Sequence, residues 1–169
     1  MKAEIVARLD ELAHQDLVLK DVNEFNDLVT KFTNFQEEVE HAWEVRKAER
    51  IEAGETAEEI GIPEFEYVAE FKRLTQLFKD KKRIEVTALK DAEKANLDKK
   101  KALIAAFKDL IQNEENIGRA IGRFKDIQES WKEVGPIPRD KRQDIQQEFS
   151  TLVESFRYNI NIYKDIKDH

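Results

Sequence analysis

The sequence contains no cysteine, few glycines and prolines, and no long apolar run. Without cysteine, the chain forms neither a disulfide nor a thiolate metal site. Five glycines and three prolines among 169 residues favour long helices with few turns. Apolar runs such as Ala102 to Ile104 are far shorter than the roughly 20 residues of a membrane span. An amphipathic pattern follows Met1 where a secretory signal would be apolar, so we expect a cytoplasmic protein without membrane contact.

Charge is unevenly distributed along the chain. Residues 1–100 hold 17 Lys and Arg against 24 Asp and Glu, whereas residues 101–169 hold 12 of each, which gives the net charge of −7. This acidic balance disfavours indiscriminate binding to phosphate backbones, although a local basic patch can still bind them. The composition is typical of long, solvated helices.

Apolar residues recur every three or four positions along most of the chain. This spacing keeps each set on one face of a helix, and no stretch alternates with the period of two that indicates a strand. The sequence therefore predicts an all-α protein. The main stripes are Ile5, Leu9 and Leu12; Val22, Phe25, Leu28, Val29 and Phe32; Val68, Phe71, Leu74 and Phe78; Ile117, Ile121, Phe124, Ile127 and Trp131; and Ile145, Phe149, Leu152, Phe156 and Ile160.

The sequence also repeats internally. At an offset of 99 residues Phe25 coincides with Phe124. This match is lost after Phe32 and resumes at Tyr67 with an offset of 78, where Phe78 coincides with Phe156. The change in offset indicates an insertion of 21 residues (99 − 78) in the first copy. Chance matching of apolar helices explains part of this pattern, but identities at both offsets favour duplication.

These features predict two tandem three-helix antiparallel bundle repeats joined by a long connecting helix. Residues 1–98 form the divergent first repeat, with an acidic insertion at about 37–66, and residues 99–169 form the second repeat. The last helix of the first repeat is expected to run through residues 88–101 into the first helix of the second.

A strong helix stop precedes the last helix. Gly135 is expected to adopt the left-handed conformation that ends a helix, Pro136 prevents continuation, and Pro138 is expected to open the next helix. The segment from Trp131 to Arg139 reads Trp-Lys-Glu-Val-Gly-Pro-Ile-Pro-Arg. It is called the signature segment below.

The signature segment resembles that of the bacterial domain-of-unknown-function family 349. In that family a helix ends in a Trp-Lys…Gly…Pro segment, and the next helix carries two phenylalanines seven positions apart, as Phe149 and Phe156 are here. The resemblance covers residues from about 99 to 160. The first repeat departs from it, since Phe32 replaces Trp131 and no Gly-Pro segment follows. The resemblance implies a tandem helical repeat fold, no established activity, and signature roles for Trp131, Gly135, Pro136, Pro138, Phe149 and Phe156.

Two tryptophans are candidates for ligand or partner contacts. Trp131 suits a stacking platform for a base, but it shares the apolar face of its helix with Phe124 and Ile127, which favours a core position. Trp43 lies in the acidic insertion with few apolar neighbours. We therefore expect Trp43 to contact a partner, together with Ile60, or alternatively to pack on its own repeat.

Two clusters of basic residues allow a second interpretation. They consist of Lys79, Lys81, Lys82 and Arg83 in the first repeat and of Arg139, Lys141 and Arg142 in the second. Acidic residues are interspersed with both clusters, which favours ordinary salt-bridged helix surfaces. The alternative is contact with RNA or with another acidic partner.

The sequence shows no recognisable catalytic constellation, phosphate loop or zinc spacing. Glu38 and His41 form one Glu-x-x-His pair, whereas di-metal helical bundles need two such pairs and further carboxylates. We therefore expect no enzyme, metal, cofactor or small-molecule substrate. The leading functional hypothesis is a non-catalytic helical repeat module that serves as a protein-interaction scaffold or spacer. The alternative is an RNA- or ribosome-associated protein that uses the basic clusters.

Overall fold

A computed structural model of the chain describes residues 1–168, and all the regular secondary structure in that range is helical. No strand occurs within that range, so the predicted all-α class is confirmed. The helices are α1 (Lys2–Ala13), α2 (Val22–Glu52), α3 (Ala57–Ile60), α4 (Val68–Asn113), α5 (Ile117–Glu133) and α6 (Arg142–Asp168), with 3₁₀ turns at Leu19–Asp21 and Arg139–Lys141. None of these helices has the length and apolar character that a bilayer span requires.

The chain divides into two compact units. The first comprises Met1–Thr87, and the second begins at Ala88. The division falls within α4. This helix is unbroken over residues 88–101, where a connecting helix is expected, and it also continues across the predicted boundary between residues 98 and 99. Each unit therefore has a core of its own.

The core of the first unit lies between α1, α2 and the first part of α4. Phe25 stacks on Phe78 and Phe32 stacks on Phe71, each pair with ring centroids 3.9 Å apart. Because the partners follow in opposite order along α4, α2 and α4 run antiparallel in this unit. The fully buried side chains here include Leu9, Leu12, Val18, Phe32, Leu74 and Phe78.

The core of the second unit lies between the later part of α4, α5 and α6. Phe124 stacks on Phe156 at 4.6 Å and Trp131 stacks on Phe149 at 3.9 Å, so α5 and α6 also run antiparallel. The fully buried ring of Phe107 lies 5.4 Å from that of Phe124 and contacts both α6 phenylalanines. The residue numbers of the stacked pairs correspond between the units. The α2 residues Phe25 and Phe32 correspond to Phe124 and Trp131 at an offset of 99, and their α4 partners correspond to Phe156 and Phe149 at an offset of 78.

The end of α5 differs from the expectation for Gly135. The helix ends at Glu133, and Val134 is already extended with ψ 129°. Gly54 and Gly61 are the glycines with positive φ among the residues described, so the predicted left-handed conformation of Gly135 is wrong. Glycine leaves room for Asn96 here, because a Cβ at position 135 would lie 2.9 Å from the side-chain nitrogen of Asn96 and would require that side chain to shift.

The proline segment after α5 is held by α4. The Asn96 side-chain nitrogen donates a hydrogen bond of 2.8 Å to the carbonyl oxygen of Pro136. Ile137 inserts into the core and is buried, while Pro138 precedes the 3₁₀ turn that leads into α6 at Arg142. Pro138 therefore begins the 3₁₀ turn and not α6 itself, which starts after that turn.

Residues 37–66, the expected acidic insertion, form a hairpin-like arm. Its outgoing side is the end of α2, and a turn at Gly54, with φ 105°, leads into α3. Thr56 and Glu59 form a capping box at the start of α3, which explains why so short a helix forms there. Gly61, with φ 71°, ends α3, and the chain returns without regular structure to α4.

Candidate functional site

Trp43 holds the two sides of the arm together. Its indole meets the ring of Phe65 edge-on, with centroids 6.3 Å apart, and the Lys47 ammonium lies 4.9 Å from the indole centroid. Trp43 and Ile60, the two predicted partner contacts, are both half-buried. The structure therefore gives Trp43 a packing role within the arm and leaves part of its surface accessible.

Ile62 is the most exposed large apolar residue at the tip of the arm. Its side chain is 95% exposed, and it lies between Gly61 and Pro63 in the segment that follows α3. Exposed carboxylates of Glu58 and Glu64 lie on either side in the sequence. The sequence signal for this residue is an isoleucine enclosed by glycine and proline in an acidic loop, which does not fit the helical spacing of core residues.

The turn before the tip is stabilised by an ion pair. Arg50 and Glu55 form a side-chain ion pair in which Nη2 donates to Oε1 at 3.2 Å. The hydrogen bonds to Glu55 raise the pKa of Arg50, and those from Arg50 lower the pKa of Glu55. This pair, the capping box of α3 and the Trp43–Phe65 contact give the arm a defined conformation.

The basic cluster on α4 is only partly available to a ligand. The Lys81 ammonium donates a hydrogen bond of 2.8 Å to the carbonyl oxygen of Gln15, in the connection between α1 and α2. Arg83 lies 3.6 Å from Asp80 in a weak ion pair. Lys79 and Lys82 are exposed. The sequence groups these four residues, but the structure uses Lys81 to hold its own chain.

Glu85 has a structural role that no local pattern predicts. Its Oε2 accepts hydrogen bonds from the backbone nitrogens of Val18, at 2.8 Å, and Leu19, at 2.9 Å. These contacts join positions 67 and 66 residues apart along the chain. Together with Lys81, Glu85 satisfies the polar backbone of the α1–α2 connection.

The second basic cluster is also divided by the fold. The Nε of Arg142 donates a hydrogen bond of 3.2 Å to the carbonyl oxygen of Ile137, so this side chain supports the signature segment. Arg139 and Lys141 project from the 3₁₀ turn and are exposed. All three residues are exposed, and Arg142 is the one whose guanidinium also bonds to its own chain.

Trp131 lies in the core of the second unit. It is 9% exposed, its indole stacks on Phe149 with planes 8° apart, and the Lys100 ammonium lies 4.5 Å from the indole centroid. A ring engaged in this way is not accessible as a platform for a nucleic-acid base. Sequence spacing missed Lys100, which the fold brings to this position from α4.

Two shallow grooves border the signature segment, and Val134 lines both. The first has a volume of about 460 Å³, and the second has a volume of about 440 Å³. They are called the first and second signature grooves below. The first is lined by Lys99, Ala102, Leu103, Ser130, Glu133 and Val134, and the second by Lys100, Val134, Gly135, Pro136, Ile137, Arg142 and Gln146.

A family match covers this part of the chain. The sequence model of the Domain of Unknown Function (DUF349) family matches residues 68–140. The matched segment is similar to this family over 73 of the 169 residues. The resemblance seen in the signature segment is thereby confirmed, although the match begins earlier than residue 99 and ends before Phe149 and Phe156. No curated protein and no solved structure matches the chain.

The DUF349 segment contains α4, α5 and most of the residues that line the signature grooves. Arg142 and Gln146 follow directly after it, whereas α1, α2 and the arm precede it. The family's description assigns no activity to the segment. The chemistry of its surfaces is therefore the guide to what this segment binds.

The predicted Glu-x-x-His pair has no third ligand nearby. Glu38 and His41 are both exposed on the arm portion of α2. Among residues 1–168, no group of three or more His, Asp or Glu side chains is placed to hold a metal ion.

Proposed function

We propose that this chain is a non-catalytic helical repeat module that binds a protein partner through its arm. The observation that carries this proposal is the exposed side chain of Ile62 on an ordered acidic tip. Full burial of such a side chain by a partner would contribute roughly 1.5–3 kcal/mol to binding. The well-defined turn around it lowers the entropy that binding would cost.

The chemistry of the arm specifies the kind of partner. Residues 37–66 hold 11 Asp and Glu against 3 Lys and Arg, a balance of −8. A partner complementary to this surface presents lysines or arginines around an apolar pocket that accepts Ile62. Electrostatic attraction between such surfaces speeds association and selects against acidic competitors.

We also propose that the two units are copies of one three-helix repeat, with the arm as an addition to the first. The stacked aromatic pairs support this proposal, because the offsets of 99 and 78 that relate the sequences also relate the pairs in space. In a repeat protein, an insertion in one copy commonly carries the binding function while the shared core supports it.

RNA binding remains the second candidate, with fewer residues to carry it than the sequence suggests. Lys81 and Arg142 bond to backbone carbonyls, which leaves Lys79, Lys82 and Arg83 in one unit and Arg139 and Lys141 in the other; of these, Arg83 also forms a weak ion pair with Asp80. A salt-sensitive titration with labelled RNA tests these residues directly, since each phosphate contact adds to the salt dependence.

The test of the leading proposal is photo-crosslinking in cell extract from position 62. A photoreactive residue replaces Ile62 in one sample and Leu17 in the matched control, since Leu17 is also apolar and is 60% exposed but lies outside the arm. We expect a discrete cross-linked protein from position 62 alone, and its loss when Glu58 and Glu64 are both changed to lysine. Equal cross-linking from both positions, or none from position 62, would contradict the proposal.

A further inference from the structure

The signature grooves combine apolar walls with lysine and arginine side chains. Ala102, Leu103 and Val134 form the apolar part of the first groove, and its charged lining residues are Lys99 and Glu133. In the second groove the lining cations are Lys100 and Arg142, and no acidic residue lines it. These surfaces suit a ligand that carries both an apolar side chain and carboxylates.

Nucleic acid matches the grooves less well than an acidic protein segment does. Binding of single strands usually depends on aromatic side chains on which bases stack. In the part of the chain that the structure describes, no aromatic residue lines either groove, and the ring of Trp131 is buried against Phe149 and under Lys100. The groove walls are instead aliphatic, which favours an aliphatic side chain as the inserted group.

The tip of the arm carries this combination of groups. Ile62 offers an aliphatic side chain that is 95% exposed, and Glu58, Glu59 and Glu64 offer carboxylates within four residues of it in the sequence. Ile62 is therefore free to insert into a surface on another molecule. The same chain thus presents an acidic apolar tip and a basic apolar groove.

We propose that the signature grooves of one copy of this chain bind the arm tip of a second copy. Ile62 occupies the first groove against Leu103 and Val134, while the glutamates of the tip face Lys99 and Lys100. This inference rests on the proposed role of the arm as a protein-binding element and names its partner. Reciprocal contacts close a pair if the geometry permits, and otherwise produce longer head-to-tail chains.

Charge reversal tests the contact in both directions. The groove variant carries Lys99→Glu and Lys100→Glu, and the arm variant carries Glu58→Lys and Glu64→Lys. Arg142 is left unchanged because it supports the signature segment. The matched control carries Lys79→Glu and Lys82→Glu, an equal change of charge at exposed positions on α4 outside the grooves. All chains are used at full length, with circular dichroism to verify their helix content.

Sedimentation velocity at about 0.1 M salt measures the association, since long-range repulsion between acidic chains is screened beyond about 10 Å there. We expect concentration-dependent association of the unmodified chain and of the control. The groove variant and the arm variant should each associate at least about tenfold more weakly than the unmodified chain. A mixture of the two variants should recover association, because a basic tip then meets an acidic groove.

Three results would overturn the inference. They are a monomer at every concentration, association that neither variant changes, and a mixture that does not recover association. A monomeric chain that binds labelled RNA, with loss of binding in the groove variant, would assign the grooves to phosphate instead. Cross-linking of position 62 to a different protein, without self-association, would leave the proposed function intact while removing this inference.

Discussion

The indole of Trp131 stacks on the ring of Phe149 with centroids 3.9 Å apart and planes 8° apart. At the corresponding offsets the first unit has Phe32 on Phe71, with the same separation and an interplanar angle of 9°. The pair thus joins two helices in each unit through one flat contact. A phenylalanine fills the position in the first unit where the second unit has the larger tryptophan.

Truncation of Trp131 should strongly destabilise the protein. Trp131→Ala removes a side chain that is 9% exposed and leaves a cavity, so we expect a loss of about 3–5 kcal/mol in the free energy of unfolding measured with urea. Trp131→Phe should lose much less, because phenylalanine keeps the stacked contact. Trp43→Ala is the control, and a comparable loss there would contradict the different roles of the two tryptophans.

Removal of the Glu85 carboxylate should leave two backbone donors of the α1–α2 connection without a partner. We expect Glu85→Ala to lower the free energy of unfolding by about 1–3 kcal/mol. Glu85→Gln keeps an acceptor oxygen and should lose less. Glu70→Ala serves as the control on the same helix, since the exposed Glu70–Arg73 pair is worth about 1 kcal/mol or less. Equal losses of unfolding free energy for Glu85→Ala and Glu70→Ala would show that the hydrogen bonds from Val18 and Leu19 to Glu85 do not stabilise the protein.

Addition of a methyl group at Gly135 should destabilise the protein through Asn96. The new Cβ would lie 2.9 Å from the Asn96 nitrogen, so we expect Gly135→Ala to cost about 1–3 kcal/mol by urea unfolding. Gly122→Ala is the matched control within α5, where a Cβ meets no atom within 4 Å, and it should stabilise by about 0.5–1 kcal/mol. The cost of Gly135→Ala should fall in an Asn96→Ala background, and strict additivity would show that Asn96 is not the cause.

The Arg8–Glu24 pair should make part of the stability depend on acid pH. Arg8 Nε and Nη2 donate to the two carboxylate oxygens of Glu24 at 2.9 and 2.8 Å, which lowers the pKa of Glu24 below its usual value. A lowered folded-state pKa contributes stability above the unfolded value of about 4.3, and this contribution is lost as the pH falls through the folded value.

The measurement is the difference in unfolding free energy between the unmodified chain and Glu24→Gln as a function of pH. This difference should be constant from pH 7 to about pH 5 and should shrink below about pH 4. In an Arg8→Gln background the same substitution should show little pH dependence. A difference that grows on acidification would contradict the assigned sign.

Much of the helical framework is predictable from sequence because helix formation depends on neighbours three and four positions apart. The stripes that contain Phe25, Phe78 and Phe124 all turn out to line cores, and the signature segment is sufficient to indicate the DUF349 family. The arm between residues 37 and 66 is visible as a change in offset. Its conformation is partly local too, since the capping box of Thr56 and Glu59 lies within four residues.

Only the tertiary structure decided what the polar side chains do. Lys81 belongs to a basic cluster in the sequence, yet it bonds to the backbone carbonyl of Gln15, 66 positions away, and Lys100 reaches Trp131 from another helix. Gly135 is recognisable as a helix stop, but its reason is the approach of Asn96 and not a left-handed backbone. Apolar periodicity is a local property of the chain, whereas the partner of a long charged side chain depends on residues far away in sequence.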